Sequence, residues 1–457
     1  MTDFIENEKN QVNEDLLAQT LEREDIDAFR SEFMDLHPYD QAKVYTGLDA
    51  EIRSRVYLYL SPEEMASLFE NIEIDEEEYQ NLLAEMDPAY VAEMLSHMYA
   101  DDAVDVLSEL DKNQAVSYLT IMDDEAAKDI KDLLRYEEYT AGSIMTTEFI
   151  AISANQTVRS AMQILKNEAP QAETIYYIYV IDDGRKLVGV MSLRDLIIAD
   201  DETMISEVML DRVVAVSVSE DQEEVARKMK DYNFLAMPVV DFQERIIGII
   251  TVDDIMDVMD EEASDDYSKL AGVSDLDRVD KNPFAAARKR LPWLVILLFL
   301  GMITASLIGR FEETLSKKAI LAVFIPLIAG MAGNTGTQAL AVAVRGIATG
   351  DLEDENKWKL LLREAGTGLI TGATCGILVT FVVYFWQHDV VLGFLVGVSI
   401  FATLIVATLA GSLVPLFMHK MKIDPAVASG PFITTINDLI SILIYFGMAT
   451  LFMSYLS

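Results

Sequence analysis

Cysteine is almost missing from this 457-residue chain, and its one copy, Cys375, stands inside an apolar run. No disulfide framework and no thiolate metal site can therefore form within one molecule. Histidine is nearly as scarce. His37, His97, His388 and His419 are scattered and make no zinc spacing. With no nucleophile–base set and no metal–histidine cluster, the sequence argues against an enzyme. Positive charge is the third shortage, 35 Lys and Arg against 76 Asp and Glu, which argues against a nucleic-acid partner. The first residues, Met-Thr-Asp-Phe-Ile-Glu-Asn-Glu, lack a basic stretch and an apolar core, so no signal peptide is expected.

What is present divides the chain in two. Its net charge is -41, yet 51% of its residues are hydrophobic. Residues 1–280 carry 66 acidic and 22 basic side chains, and residues 281–457 carry 10 and 13. An acidic soluble body is expected in front of a membrane domain. Most of the acidic side chains serve as a solvated surface, but the field they create also attracts cations.

Residues 1–15 read as a disordered terminus and 16–135 as an acidic, all-α superhelical domain. Its units begin with a cap followed by a helix, as in Ser61-Pro62-Glu63-Glu64 and Asp87-Pro88. Asp101 and Asp105 share a helical face there, and two like charges at that spacing invite a bound cation. Residues 136–262 contain an internal α/β repeat. Leu187-Val-Gly189-Val-Met-Ser192-Leu-Arg-Asp195 returns as Ile246-Ile-Gly248-Ile-Ile-Thr251-Val-Asp-Asp254. Residues 263–287 read as a connecting helix. Along the acidic run before and into it, Asp253, Asp257, Asp260 and Glu261 can share a face, and Asp254 and Asp265 belong to the same run. Divalent ions could screen such surfaces and dock them together, whereas without ions they would repel.

Five spans are expected in 288–457, at roughly 291–309, 319–344, 361–386, 390–417 and 430–454. Arg288-Lys289-Arg290 before the first span, Lys357, Lys359 and Arg363 before the third, and Lys420 and Lys422 before the fifth all fall on one side. That side should be cytoplasmic, with the soluble body, and the C-terminus outside. The second span carries Gly333-Asn334-Thr335-Gly336-Thr337-Gln338. Its glycines suggest close packing or cavity-lining backbone, and Asn334, Thr335 and Gln338 could order water around a hydrated ion. The fifth span carries a polar stripe of Thr434, Asn437, Asp438 and Ser441, with Thr435 beside it. A carboxylate at that depth usually faces a pore, though such a stripe can also serve only to glue helices. Its oxygen-only chemistry suits a hard cation, and Gly430-Pro431 reads as a break before it. One carboxylate is a thin site for a divalent ion; a two-fold dimer would double it. Asp438 reads as the only buried membrane carboxylate, which favours a passive channel over a proton- or sodium-coupled carrier.

The repeated middle resembles a tandem of CBS (cystathionine β-synthase) domains. In that family the Gly-x-x-Ser/Thr-x-x-Asp turn often holds the ribose of an adenine nucleotide, and Ser192 with Asp195 and Thr251 with Asp254 match it. The whole chain resembles the MgtE magnesium channel/transporter family, most specifically in Pro326 to Gln338, with its Gly-Asn-Thr-Gly-x-Gln core, and in Asp424-Pro-Ala followed by Gly430-Pro-Phe-Ile-Thr434-Thr435-Ile-Asn437-Asp438. The resemblance implies a homodimeric, Mg2+-selective channel in the cell membrane, with lower permeability to Mn2+ or Co2+. It places the pore aspartate at Asp438. It implies closure when cytosolic Mg2+ binds acidic interfaces, for which Asp101, Asp105, Asp253, Asp254, Asp257, Glu261 and Asp265 are the candidates. It also implies ATP as a modulating ligand of the CBS pair.

Overall fold

A computed structural model describes residues 17, 20, 21, 23–72, 74, 76–273, 283–350, 352 and 357–455. The reading of 1–15 as disordered and the middle of the connecting segment, 274–282, lie outside the described residues. The chain forms two compact units, Met1–Val258 and Met259–Ser457.

The first unit begins with nine described helices, from α1 (Ile26–Phe33) to α9 (Asp124–Leu133). Local chemistry starts them. Pro38, Pro62 and Pro88 occupy first turns, where a missing N–H costs nothing. Ser61 and Glu64 form a reciprocal capping box, and the Asp87 and Asp123 side chains accept backbone N–H groups. The helices bury Phe29, Phe33, Tyr45, Met65, Leu68 and Phe69 in a common core. Successive repeats are also tied by Arg30 to Glu64 at 2.6 and 3.0 Å and by Arg53 to Glu85 at 2.6 and 2.9 Å.

Two three-stranded sheets follow, and they have one topology. In β1 (Ala151–Ser153), β2 (Tyr177–Ile181) and β3 (Leu187–Ser192), the first pair is parallel and the second antiparallel. The second copy, β4 (Val216–Ser217), β5 (Ala236–Val240) and β6 (Ile246–Thr251), repeats this. Each copy lends a segment to the other: Thr146 bridges Ile249, and Leu210 bridges Val190. Gly189 and Gly248 make those crossings possible. A Cβ there would lie 2.4 Å from Met209 Sδ and 2.7 Å from Met145 Sδ, respectively. From β6 the chain enters α14 (Val252–Ala271), whose residues after Val258 belong to the second unit.

Five helices of the second unit are long and apolar enough to cross a membrane. They are α15 (Pro283–Gly309), α17 (Ile325–Ala348) with the 3-10 turn before it, α18 (Lys357–Gln387), α19 (Val390–Lys420) and α20 (Gly430–Phe452); the short α16 (Glu312–Lys317) follows the first. All five expected spans are present, and several run further into their charged flanks. Gly430-Pro431 stands where a break before the Asp438 helix is expected: α20 starts there, with Pro431 in its first turn behind the Ser429 N-cap.

Glycine also sets a tight seam between α18 and α19. A Cβ at Gly376 would lie 2.6 Å from the Gly397 carbonyl, and one at Gly372 would lie 2.9 Å from the Phe401 carbonyl. Side chains there would push the helices apart. Gly376→Val is therefore expected to lower stability by about 1–3 kcal/mol. Thermal melting of the detergent-solubilised full chain checks this, with Gly301→Ala, where nothing lies within 4 Å, as the neutral control.

Candidate metal and ion sites

The polar stripe of α20 is split by the fold. Thr434, Asn437 and Ser441 turn toward or bury within the helix bundle, whereas Asp438 is half-buried. Thr434 packs on Gly333 of α17, where a Cβ would lie 2.7 Å from its Cγ2, and its hydroxyl stands 3.3 Å from that of Thr337. Asn437 is 1% exposed and lies over Gly336, where a Cβ would fall 1.8 Å from Nδ2. Ser441 is fully buried and donates to the Asp438 carbonyl at 2.9 Å. Thr435 donates to the Pro431 carbonyl at 2.9 Å. Asn437, expected on an ion path, is buried over the glycine face of α17, and neither its Oδ1 nor its Nδ2 has a hydrogen-bond partner. On α17, Gly333 is buried, but Asn334 and Gln338 are exposed. An amide facing lipid is costly, so these two positions mark a face for water or for a second protein surface.

Asp438 is not the only carboxylate buried in the membrane unit. Glu364 of α18 is 6% exposed, with Arg363 Nε 3.8 Å away. It sits in the second turn of a helix that begins at Lys357, and the sequence reading passed over it among the flanking charges.

In the first unit, one oxygen each from Asp101, Glu173 and Asp254 lie within 4.8 Å of one another. Asp101 is in α7 (Ala100–Ser108) and is 8% exposed; Asp254 is in the first turn of α14. Asp101 Oδ1 and Glu173 Oε2 are buried with no hydrogen-bond partner. Burial, and next the Asp254 charge, push the Asp101 carboxyl well above its ordinary range and Glu173 to about 7. Burial, and next Glu70, push Asp102 to about 8. Buried carboxylates without donors are costly when ionised, and a hard divalent cation removes that cost. The donor set fits Mg2+ or a similar ion: all oxygen, convergent and partly unsatisfied.

Of the other expected acidic residues, Asp105, Asp253, Asp257, Glu261 and Asp265 are exposed. Asp105 does not share the surroundings of Asp101 despite its spacing, because Asp101 points into the core side of α7. Glu173 was missed by sequence reading. It lies in a loop after Ala169–Gln171, and no periodicity marks it.

The two Ser/Thr–Asp turns also diverge. Each is a local cap: the Ser192 hydroxyl donates to Asp195 at 2.6 Å and the Thr251 hydroxyl to Asp254 at 2.5 Å. Ser192 and Asp195 line a cavity of about 180 Å3 with Tyr177, Phe234, Arg212 and Pro238. Aromatic walls, a hydroxyl–carboxylate pair and an arginine suit a nucleoside with a phosphate. Thr251 and Asp254 are not part of that cavity. Asp254 stands instead among carboxylates, a setting that repels phosphate.

Acidic helices, paired α/β repeats and an apolar five-helix unit with an interior carboxylate together define a membrane transporter of cations with a soluble N-terminal part. The chain belongs to the MgtE family. Residues 325–448 match the family model for the MgtE divalent cation transporter, 36–139 the MgtE intracellular N domain, and 141–202 and 205–261 the CBS domain. It is 54% identical to the magnesium transporter MgtE of Enterococcus faecalis, over 96% of this chain and 97% of that one. It is 40% identical to that of Bacillus subtilis, over 93% and 94%. A crystal structure of the soluble part of a magnesium transporter matches 56% of this chain and 99% of its own at 52% identity and TM-score 0.54. The cytosolic domain of the Mg2+ channel MgtE in complex with ATP matches 53% and 98%, at 38% identity and TM-score 0.50.

The raised Glu173 pKa has a defined sign. The folded state keeps a proton that the unfolded chain releases, so the ion-free protein loses stability as pH rises from about 4.5 through about 7. Mg2+ binding should strengthen over the same window, because ionised carboxylates bind it. Melting temperatures of the full chain across this range, with and without MgCl2, should diverge as pH rises. Asp101→Asn should shrink the divergence, and parallel curves would contradict the assignment.

Proposed function

We propose that this chain is a magnesium-selective channel that admits Mg2+ and closes when Mg2+ accumulates on its cytoplasmic side. The observation that carries the reading is the position of Asp438. It is half-buried within α20, while Asn437 and Ser441 are buried and Thr434 packs on Gly333. A carboxylate at such depth needs water, a cation or a partner. Two chains related by a two-fold axis would bring two copies of Asp438 to one conduit, with Asn334, Gln338 and Thr435 as its outer polar lining. Mg2+ dehydrates reluctantly, so few direct ligands suffice and the amides would meet its hydration shell. The exposed flank of α15, whose apolar window has no buried residue, supports a neighbouring chain or lipid around it. The magnesium transporters it resembles support the choice of ion, with Mn2+ and Co2+ as poorer substrates.

Closure is assigned to the cluster of Asp101, Glu173 and Asp254, with Asp105, Asp253, Asp257, Glu261 and Asp265 as additional acidic positions. Bound Mg2+ would offset their mutual repulsion and hold α7 and α14 together. ATP would occupy the cavity of Ser192 and Asp195. The membrane is the cell membrane, with the soluble unit cytoplasmic and the C-terminus outside.

Buried Glu364 favours one rival reading, a cation-coupled carrier, since a second membrane carboxylate could supply a coupling site. Mg2+ flux through the full chain in proteoliposomes separates the two. The channel reading expects flux that follows the Mg2+ gradient and voltage, unaffected by a pH or Na+ gradient. Asp438→Ala should cut it by roughly tenfold or more, and Asp438→Asn should leave it low or unselective. Proton- or sodium-dependent flux abolished by Glu364→Gln would establish the carrier instead. For the nucleotide, ATP titrated against the full chain should lose affinity by roughly tenfold with Asp195→Ala, whereas Thr251→Val should leave it unchanged.

A further inference from the structure

The last turn of α14 is seated on the start of α20, within the second unit. Leu270 and Gly272 supply the contact. A Cβ at Gly430 would lie 3.3 Å from the Leu270 carbonyl, and one at Gly272 would lie 3.6 Å from Pro431 Cγ and from Ser429 Oγ. Gly272 has φ +70°, a conformation that a side chain would strain, so the chain can turn away at that point and leave the contact flush. Ser429 is fully buried and caps α20 through the Phe432 N–H.

One charged pair crosses the contact. Lys269 Nζ donates to Asp424 Oδ2 at 2.5 Å and also pairs with Asp265 on its own helix. The other oxygen, Asp424 Oδ1, accepts the Ala426 N–H at 2.8 Å and so caps the turn Pro425–Val427 that leads into α20. A single carboxylate therefore holds both the incoming lysine and the turn before the Asp438 helix. Asp266, half-buried beside them, would repel Asp424 without that lysine.

We propose that Lys269 is a tethered cation that couples α14 to α20 through Asp424, and that this coupling carries cytoplasmic Mg2+ occupancy to the helix bearing Asp438. The ammonium does at this joint what a divalent ion does between carboxylates, but it cannot diffuse away. The joint thus stays docked at every Mg2+ level, and movement of α14 reaches α20 rather than being lost in a loose linker. Lys269 is a positioning residue: it acts through Asp424 and the Pro425–Val427 turn. This inference rests on the reading of the protein as a channel closed by internal Mg2+.

The test is Mg2+ flux through the full chain in proteoliposomes at a series of internal Mg2+ concentrations. Lys269→Met and Asp424→Asn should keep wild-type flux at low internal Mg2+ and require roughly fivefold more internal Mg2+ to close. Lys269→Arg should close like wild type, because it keeps the cation. The exchanged pair, Lys269→Asp with Asp424→Lys, should close at lower Mg2+ than either single reversal. A wild-type protein that never closes would defeat the gating reading itself. If wild type closes and Lys269→Met closes at the same Mg2+, the coupling role is overturned. Loss of flux at low internal Mg2+ in Lys269→Met would make the pair a folding contact and would equally overturn it.

Discussion

The membrane unit depends on how closely α20 can lie on α17. Gly333 and Gly336 remove side chains from the contact, and Thr434 and Asn437 fill the space that they vacate. Hydrophobic burial cannot drive this approach in lipid, where a neighbouring acyl chain is as apolar as a leucine. Close packing of small residues must supply the association. The consequence is rotational. Thr434 and Asn437 face that seam, whereas Asp438 is only half-buried. A larger residue at 336 would collide with the Asn437 amide and rotate or lift α20, and the carboxylate with it.

The soluble unit uses the opposite physics. Its acidic helices are stabilised by an apolar core and by the Arg30–Glu64 and Arg53–Glu85 bridges, yet Asp101, Glu173 and Asp254 converge without a basic residue among them. A protein at net -41 gains nothing in stability from bringing three more carboxylates together and partly burying them. Such a cluster is stable when protonated or when a cation is bound. At the far end of α14 the same problem is met differently, since Lys269 lies between Asp265 and Asp424. One helix thus begins beside carboxylates with no basic partner among them and ends beside carboxylates paired with a lysine.

Much of this was legible in the chain. Five apolar runs, a repeated α/β unit and proline-started helices are local patterns of period and composition, and local physics enforces them. The glycine-rich Gly333–Gln338 segment and Asp438 were also visible, because polar or flexible residues are rare in apolar spans. Helical spacing placed Asn437 on one stripe with Asp438, but its burial over Gly336 was set by the neighbouring helix, which no local period reveals. Glu364 shows the same limit from the other side. Near a run of Lys and Arg it reads as a flanking charge, and burial by adjacent helices sets it apart.

The sequence alone determined the classes of element, their order, the membrane spans and the acidity of the soluble part, since each follows from residue type and short-range spacing. Tertiary structure alone decided which carboxylates converge. Asp101, Glu173 and Asp254 are 72 and 81 residues apart in the chain, and no local period links them. It also decided that the two matched turns differ, Ser192–Asp195 beside a cavity and Thr251–Asp254 beside other acids. Their immediate sequences are nearly equivalent, and what distinguishes them is the surface packed against each, which depends on the path of the whole chain.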